Sequence, residues 1–317
     1  MKPFRILSID GGGIKGIFPA AFLAELERLT GKSAANHFDL IVGTSTGGII
    51  ALGLGMGVPA ADILEFYKTA GAQIFPTQRR RWRLLRSVFG SKYDTGPLRA
   101  ALDKVFGTKR LWESGTRLVV PSISATTGDV YLYKTPHHER LRADYNKLAS
   151  EVALATSAAP TFFPVHHTGD GLQLMDGGLW ANNPVMVGVV EAISMLGQQA
   201  RDIRALSIGC TTSPMAVSES MQCGGLLAWA RSSVEWLLHG QSISAVNQAR
   251  HLLGKENILR VEHVVSPGVY SLDGYKAATA LEGPGREKAR THSPEIVRDY
   301  LTEARSPYEP LYRESPG

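Results

Sequence analysis

The run from Phe38 to Ile50 constrains this chain more than any other. Its first half, Phe38-Asp39-Leu40-Ile41-Val42, is a short apolar stretch rich in branched residues, and its second half, from Gly47 on, starts a helix. A short apolar run that gives way at once to a helix is the pattern of a strand buried in a parallel sheet. Between the halves, Gly43-Thr44-Ser45-Thr46-Gly47 fits the G-x-S-x-G elbow. There, glycines on either side let the backbone turn sharply and push the serine hydroxyl out at the strand's carboxyl end, beside the helix amide terminus. Ser45 is therefore placed like a nucleophile. The pentapeptide alone suits a glycine turn with an N-capping Ser or Thr equally well, so the choice falls to the rest of the chain.

With 317 residues and 44% hydrophobic content, the chain can bury the core of one large α/β domain or two small ones. Lys and Arg number 34 against 29 acidic residues, a net charge of +5 that tilts it toward anionic partners such as lipid headgroups or nucleotides. Cys210 and Cys223 form no disulfide framework and no paired spacing that suggests zinc, so both read as ordinary thiols. Met1-Lys2-Pro3 runs into a strand with no signal-peptide apolar region. No uninterrupted apolar stretch reaches the ~20 residues of a spanning helix, and the expectation is a soluble cytoplasmic protein.

Phe4 to Ile9 reads as a first strand, followed by Asp10-Gly11-Gly12-Gly13-Ile14-Lys15-Gly16 and a helix with Phe18, Phe22, Leu26 and Leu29 at helical steps. Strand, glycine loop and helix make an anion cradle, whose amides can aim at a phosphate or at the oxyanion formed when an ester carbonyl is attacked. No Gly-Lys-Ser/Thr ends the loop and G-x-G-x-x-G is not met cleanly, so with Ser45 counted the oxyanion hole is the better reading. Val58-Pro59 opens a helix through Ile63, Phe66 and Tyr67, and Pro97 opens one through Leu98, Leu102, Val105 and Phe106. Between these helices, Arg79, Arg80, Arg81, Arg83 and Arg86 are interleaved with Trp82, Leu84, Leu85, Val88 and Phe89. Drawn as a helix this is an amphipathic basic segment that suits a membrane surface or a phosphorylated ligand, and equally a solvated arginine face over apolar core.

Strands follow at 118–125 and 130–133, and His137 and His138 fall in a polar connection, where adjacent histidines decorate a surface more often than they bind metal. A helical stretch through Val152 and Leu154 runs into Ala155-Thr156-Ser157-Ala158-Ala159-Pro160-Thr161-Phe162-Phe163-Pro164. Small residues there allow close packing under the site, and Pro160 stops the helix. Leu172 to Asp176 is a short strand ending on an aspartate followed by Gly177 and Gly178 and then Leu179-Trp180-Ala181-Asn182-Asn183-Pro184. The glycines keep the carboxylate reachable, as for a presented base; an Asx-turn is the plain alternative. A strand at 204–209, a mostly helical stretch at 226–253 and a charged helical tail from Pro284 complete the chain.

Three motifs thus stand in fixed order, Asp-Gly-Gly-Gly-Ile-Lys-Gly at 10–16, Gly-Thr-Ser-Thr-Gly at 43–47 and Asp-Gly-Gly at 176–178. Together they resemble the patatin-like phospholipase family, and the Ala155 to Phe163 run is similar to that family's pattern too. The resemblance covers residues 4–210 well and the remainder loosely. It implies an α/β, three-layer fold with a mostly parallel central sheet flanked by helices, as a single domain over 1–317 with a core at about 4–210 and a helical part at 211–317. It makes Ser45 the nucleophile, Asp176 the base and the glycine loop the oxyanion hole, with Gly12 and Gly13 as main donors and Gly11 beside them; Lys15 stands where many members carry an arginine.

The activity so implied is hydrolysis of membrane phospholipid acyl esters by a Ser-Asp dyad through an acyl-enzyme, without cofactor or metal and with no DNA partner. An ordinary α/β-hydrolase, with His239, His251, His263 or His292 as its base, is the competing enzyme, and a glycine-loop anion binder competes outside the enzymes. The compact chain is similar to short bacterial members that serve as cyclic-nucleotide-activated effectors of anti-phage defence. That subgroup implies a cyclic di- or trinucleotide activator, action at the inner face of the membrane, and room for a homo-oligomer. Arg80, Arg83, Arg86 and Trp82 are then ligand receiver or peripheral membrane contact. The alternative is a constitutive lipid acyl hydrolase without nucleotide control.

Overall fold

In the computed structural model, which describes residues 2–76, 90–215, 217, 222, 224, 229 and 233–313, the chain folds around one eight-stranded sheet. β1 (Phe4–Ile9) lies between β2 (Leu40–Gly43) and β7 (Ile203–Thr212), parallel to both. β3 (Arg117–Ser124) adds in parallel to β2, and β8 (Ile258–Val264) in parallel to β7. β4 (Val130–Lys134) and β6 (Gln173–Asp176) pair antiparallel with β3, and β5 (His166–His167) with β6. The expected mostly parallel sheet is what forms, with antiparallel pairing confined to the β3 side.

The helices in chain order are α1 (Ile17–Thr30), α2 (Thr46–Gly55), α3 (Ala60–Ile74), α4 (Gly96–Phe106), α5 (Ala149–Thr156), α6 (Gly178–Ala181), α7 (Val185–Ser194), α8 (Ser233–Leu253), α9 (Tyr275–Ala278) and α10 (Glu282–Tyr300). Alternation along the strands divides them into two layers. Leu7, Ile9 and Ile41 pack into a core with Phe18 and Phe22 of α1, Ile50 of α2 and Phe66 of α3. Ile6, Leu40 and Val42 point the other way, against Val185 and Val189 of α7 and Ala249 and Leu253 of α8. Because both faces are covered, β2 is buried along its whole length, which is why its sequence is apolar without alternation. Every residue of α2 is buried as well, so the element that starts at the elbow runs through the core.

Two expectations are corrected. The part after residue 210 is not only helical, because Ile258–Val264 joins the sheet as an edge strand with few of its residues buried. His137 is no surface residue: it is buried, with its ring nitrogens at 2.9 Å from Thr135 Oγ1 and from Glu191 Oε1. Glu191 lies on α7, so the contact ties the end of β4 to that helix. Arg79, Arg80, Arg81, Trp82, Arg83, Arg86 and Cys223 lie outside the described residues.

Candidate active site

The parallel strands β1 and β2 end side by side, so the loops that follow them meet at one end of the sheet, the usual place for a site in such folds. Only Thr44 and Ser45 separate β2 from α2. Ser45 takes φ 54 and ψ −120, a backbone state that costs a non-glycine residue about 1–3 kcal/mol unless its surroundings enforce it. They do so here. The Ser45 amide donates to Thr156 Oγ1 at 2.9 Å, and that hydroxyl donates to the Pro121 carbonyl at 2.6 Å. Thr44 Oγ1 donates to the Ala181 carbonyl at 2.6 Å, and the Ile49 amide returns to the Ser45 carbonyl at 3.0 Å. The flanking glycines are required by space: a Cβ on Gly43 collides with the Gly47 carbonyl, and one on Gly47 collides with the Ile9 carbonyl at the end of β1.

β6 delivers the second group. Its antiparallel register on β3 places Asp176 opposite Ser122, at the strand end beside the elbow. Ser45 Oγ donates to Asp176 Oδ2 at 2.7 Å, and the Gly178 amide donates to Asp176 Oδ1, also at 2.7 Å. Among the described residues no cation pairs with this carboxylate. Burial pushes its pKa up to about 6, and the bonds from Ser45 and Gly178 pull only partly the other way. No histidine lines the pocket or hydrogen-bonds to the dyad among the described residues. His239 and His251 lie on α8, His263 stacks on Phe18 from β8, and His292 lies on α10.

The glycine loop after β1 closes the site. The Gly11 amide donates to the Asn182 carbonyl at 2.9 Å and the Ile14 amide to the Leu272 carbonyl at 2.9 Å. Between them, the amides of Gly12 and Gly13 meet no acceptor among the described residues, and both glycines line the pocket with Ser45. Gly13 has φ +58 and a Cβ there collides with the Leu272 carbonyl; a Cβ on Gly12 would lie 2.5 Å from Cys210 Sγ. Burial pushes that thiol up to about 12, so it stays a neutral packing group.

Beneath the loop, Asp10 is buried in a two-pronged pair with Arg260 of β8, Nη1 to Oδ1 at 3.0 Å and Nη2 to Oδ2 at 2.6 Å. Arg260 also donates to Ser207 Oγ at 2.8 Å. Asp273, next to Leu272, accepts from Tyr93 Oη at 2.7 Å and pairs with Lys92. Neither Arg260 nor the Leu272–Asp273 turn carries a local sequence signal. Thr156 does, since it stands in the small-residue run whose packing role is legible although its hydrogen bond to the elbow is not.

In front of these groups lies a cavity of about 480 Å³, in the range of ligand sites. Its walls include Ile49, Phe66, Ile74, Phe75, Leu98 and Phe163. A hydroxyl on a buried carboxylate, two unengaged amides and an apolar slot are the parts of an acyl-transfer site. Among the described residues no group of three His, Cys, Asp or Glu side chains could hold a metal ion.

Residues 7–189 match the model of a known family, Patatin, described as patatin-like phospholipase. A cGAMP-activated phospholipase of Pseudomonas aeruginosa is 33% identical over 266 residues, which cover 83% of this chain and 79% of that protein. A cGAMP-activated phospholipase of Vibrio cholerae is 35% identical over 243 residues, covering 69% of this chain and 68% of its own. Among solved structures, VipD from Legionella pneumophila aligns with 90% of this chain and 67% of its own at a TM-score of 0.44 and 13% identity.

Proposed function

Given that the chain belongs to the patatin-like phospholipase family, a family of lipid acyl hydrolases, we propose that it cleaves the acyl esters of membrane phospholipids through an acyl-enzyme on Ser45, with Asp176 as base. The observation that carries this reading is the 2.7 Å hydrogen bond from Ser45 Oγ to Asp176 Oδ2 at an apolar cavity.

A carboxylate with an ordinary pKa near 4 is a weak base for a hydroxyl. Raised to about 6, Asp176 stays ionised at neutral pH and accepts the proton more readily. Ser45 Oγ attacks the ester carbonyl as its proton passes to Asp176, and the amides of Gly12 and Gly13 receive the oxyanion. One such donor is typically worth about a hundredfold to a thousandfold in rate. The proton then goes to the departing alcohol, the lysolipid, and water releases the fatty acid from the serine.

The test is an ester assay on purified protein. Ser45→Ala and Asp176→Asn are each expected to abolish hydrolysis with the fold intact, and substantial turnover by Asp176→Asn would remove the dyad. Alanine at His239, His251, His263 or His292 is expected to leave activity near normal. In a series of soluble esters, kcat/KM is expected to climb with acyl length, because each methylene buried between Phe66, Ile74 and Phe163 contributes about 0.8 kcal/mol.

The reading extends to control. The names of the Pseudomonas and Vibrio relatives support a cyclic nucleotide as activator, and the subgroup resemblance supports action at the inner face of the membrane in defence against phage. A constitutive acyl hydrolase is the alternative, distinguished by full activity without added ligand.

A further inference from the structure

Asn182 and Asn183 are neighbours with different surroundings. Asn183 is buried, its Oδ1 accepting the Val185 amide at 3.1 Å at the start of α7 and its Nδ2 donating to Ser242 Oγ at 3.3 Å. It holds the helix. Asn182 uses only its main chain, whose carbonyl accepts the Gly11 amide. Its half-buried side chain lines the catalytic cavity and has no hydrogen-bond partner among the described residues. Its Oδ1 lies 2.6 Å from where a Cβ on Gly11 would stand and 3.4 Å from where one on Gly178 would stand. Those two points are in turn 3.4 Å from Ser45 Cβ and 3.0 Å from Asp176 Oδ1. A neutral amide thus stands between the glycine loop, the nucleophile and the base, with its hydrogen-bonding capacity unused.

We propose that Asn182 is a further catalytic residue, whose side-chain amide holds the water that hydrolyses the acyl-serine; the proposal rests on the acyl-Ser45 reading above. In the free enzyme both Asp176 oxygens are occupied, Oδ1 by the Gly178 amide and Oδ2 by the Ser45 hydroxyl. Acylation removes the hydroxyl hydrogen, so Oδ2 becomes the acceptor for one O–H of water. A water held at one point turns freely, and a second partner is needed to aim its lone pair at the carbonyl carbon. The nearby amides of Gly178 and Gly11 are already engaged, by Asp176 and by the Asn182 carbonyl, whereas the Asn182 side chain is free to hold it. Its neutrality matters, because a second carboxylate here would oppose the charge of Asp176.

In the step itself, the water oxygen bonds to the acyl carbon while one of its protons passes to Asp176. The tetrahedral intermediate collapses by breaking the bond from carbon to Ser45 Oγ, Oγ takes the proton from Asp176, and the fatty acid leaves. No oxidant, reductant or co-reactant beyond water is required.

The variant Asn182→Ala keeps the main-chain carbonyl that receives Gly11 and removes only the amide. With a soluble chromogenic ester, kcat is expected to fall about tenfold to a hundredfold, the scale of one hydrogen bond to a charged reacting group. KM should fall in parallel, leaving kcat/KM unchanged, since that ratio reports only steps through acylation. A pre-steady-state burst should appear, and acid-quenched protein should carry one acyl group by intact mass, absent when Ser45→Ala is added. Asn183→Ala should lower Tm without trapping acyl-enzyme. Asn182→Asp keeps an acceptor in place should the alanine variant fold poorly; its new charge should move the acid limb of kcat to higher pH. Equal losses of kcat and kcat/KM without a trapped acyl group, in Asn182→Ala or in Asn182→Asp above its shifted acid limb, overturn the proposal. A wild type that never shows acyl-Ser45 on rapid quench, with Ser45→Ala still active, overturns the acyl-serine reading instead.

Discussion

At the scale of single residues the site holds a charge that the fold would be more stable without. Asp176 is buried with no cation beside it among the described residues, and its pKa of about 6 lies above the ordinary aspartate value near 3.9. The folded protein therefore binds this proton more tightly than the unfolded chain does. The group's contribution to stability is greatest below the lower value, declines as pH rises through the window between about 4 and 6, and stays low above it. Asp176→Asn keeps the shape and removes the charge, so at pH 7.5 it is expected to be inactive yet more stable than wild type, on the order of 1–3 kcal/mol. The gap should narrow at pH 5, and paired thermal melts at the two values check it. In the wild type the same carboxylate should give kcat/KM an acid limb near pH 6, because protonation removes the proposed base. The meeting of Ser45 and Asp176 was legible because each sits in a short local pattern of glycines. His137 was not, since the polar neighbours that suggested a surface say nothing of Glu191, which reaches it from α7, 54 residues along the chain.

At the scale of elements, the legible parts are those whose signal is local. β2 and α2 announce themselves by apolar runs, and β1 by Ile6, Leu7 and Ile9 around Ser8, because the sheet is covered on both faces where they lie. β8 carries Arg260, Glu262 and His263 among its seven residues, and an edge strand of that kind has no periodicity that separates it from a loop. Yet β8 supplies the guanidinium under the glycine loop, from a position 250 residues along the chain from Asp10. Such a pairing is a property of the sheet order β1-β7-β8 and cannot be read from either segment. Arg260→Met should leave the Asp10 carboxylate buried and unpaired and cost about 3–5 kcal/mol of stability. Asp10→Asn together with Arg260→Met should recover much of that loss, because the penalty belongs to the uncompensated charge. Denaturant melts on the two singles and the double give the coupling, and strict additivity would show that the pair does not act as a unit.

At the scale of the whole molecule, the proposed substrate is a membrane lipid, while none of the described helices is long and apolar enough to cross a bilayer. On that proposal the protein needs a surface that meets lipid. The five arginines between Arg79 and Arg86, interleaved with Trp82, Leu84 and Leu85, are the densest run of charge in the chain. They lie outside the described residues, and their composition suits two roles: guanidinium groups pair with phosphates in forked geometry whether the phosphate belongs to a lipid headgroup or to a cyclic nucleotide, and a tryptophan stacks on a base as readily as it anchors in a membrane. Replacing Arg80, Arg83 and Arg86 with alanine separates the roles when activity is read on two substrates. If the segment receives the nucleotide, the variant should lose ligand-stimulated hydrolysis of a small soluble ester and weaken ligand binding by calorimetry. If it is a membrane contact, the variant should keep normal activity on the soluble ester and fail only on anionic vesicles, with its deficit against the wild type narrowing as salt screens the headgroups. Under the nucleotide control proposed above, the first outcome is the expected one. Purified protein that hydrolyses phospholipid at full rate with no ligand, and binds none of the cyclic di- or trinucleotides offered, would leave a constitutive acyl hydrolase in its place.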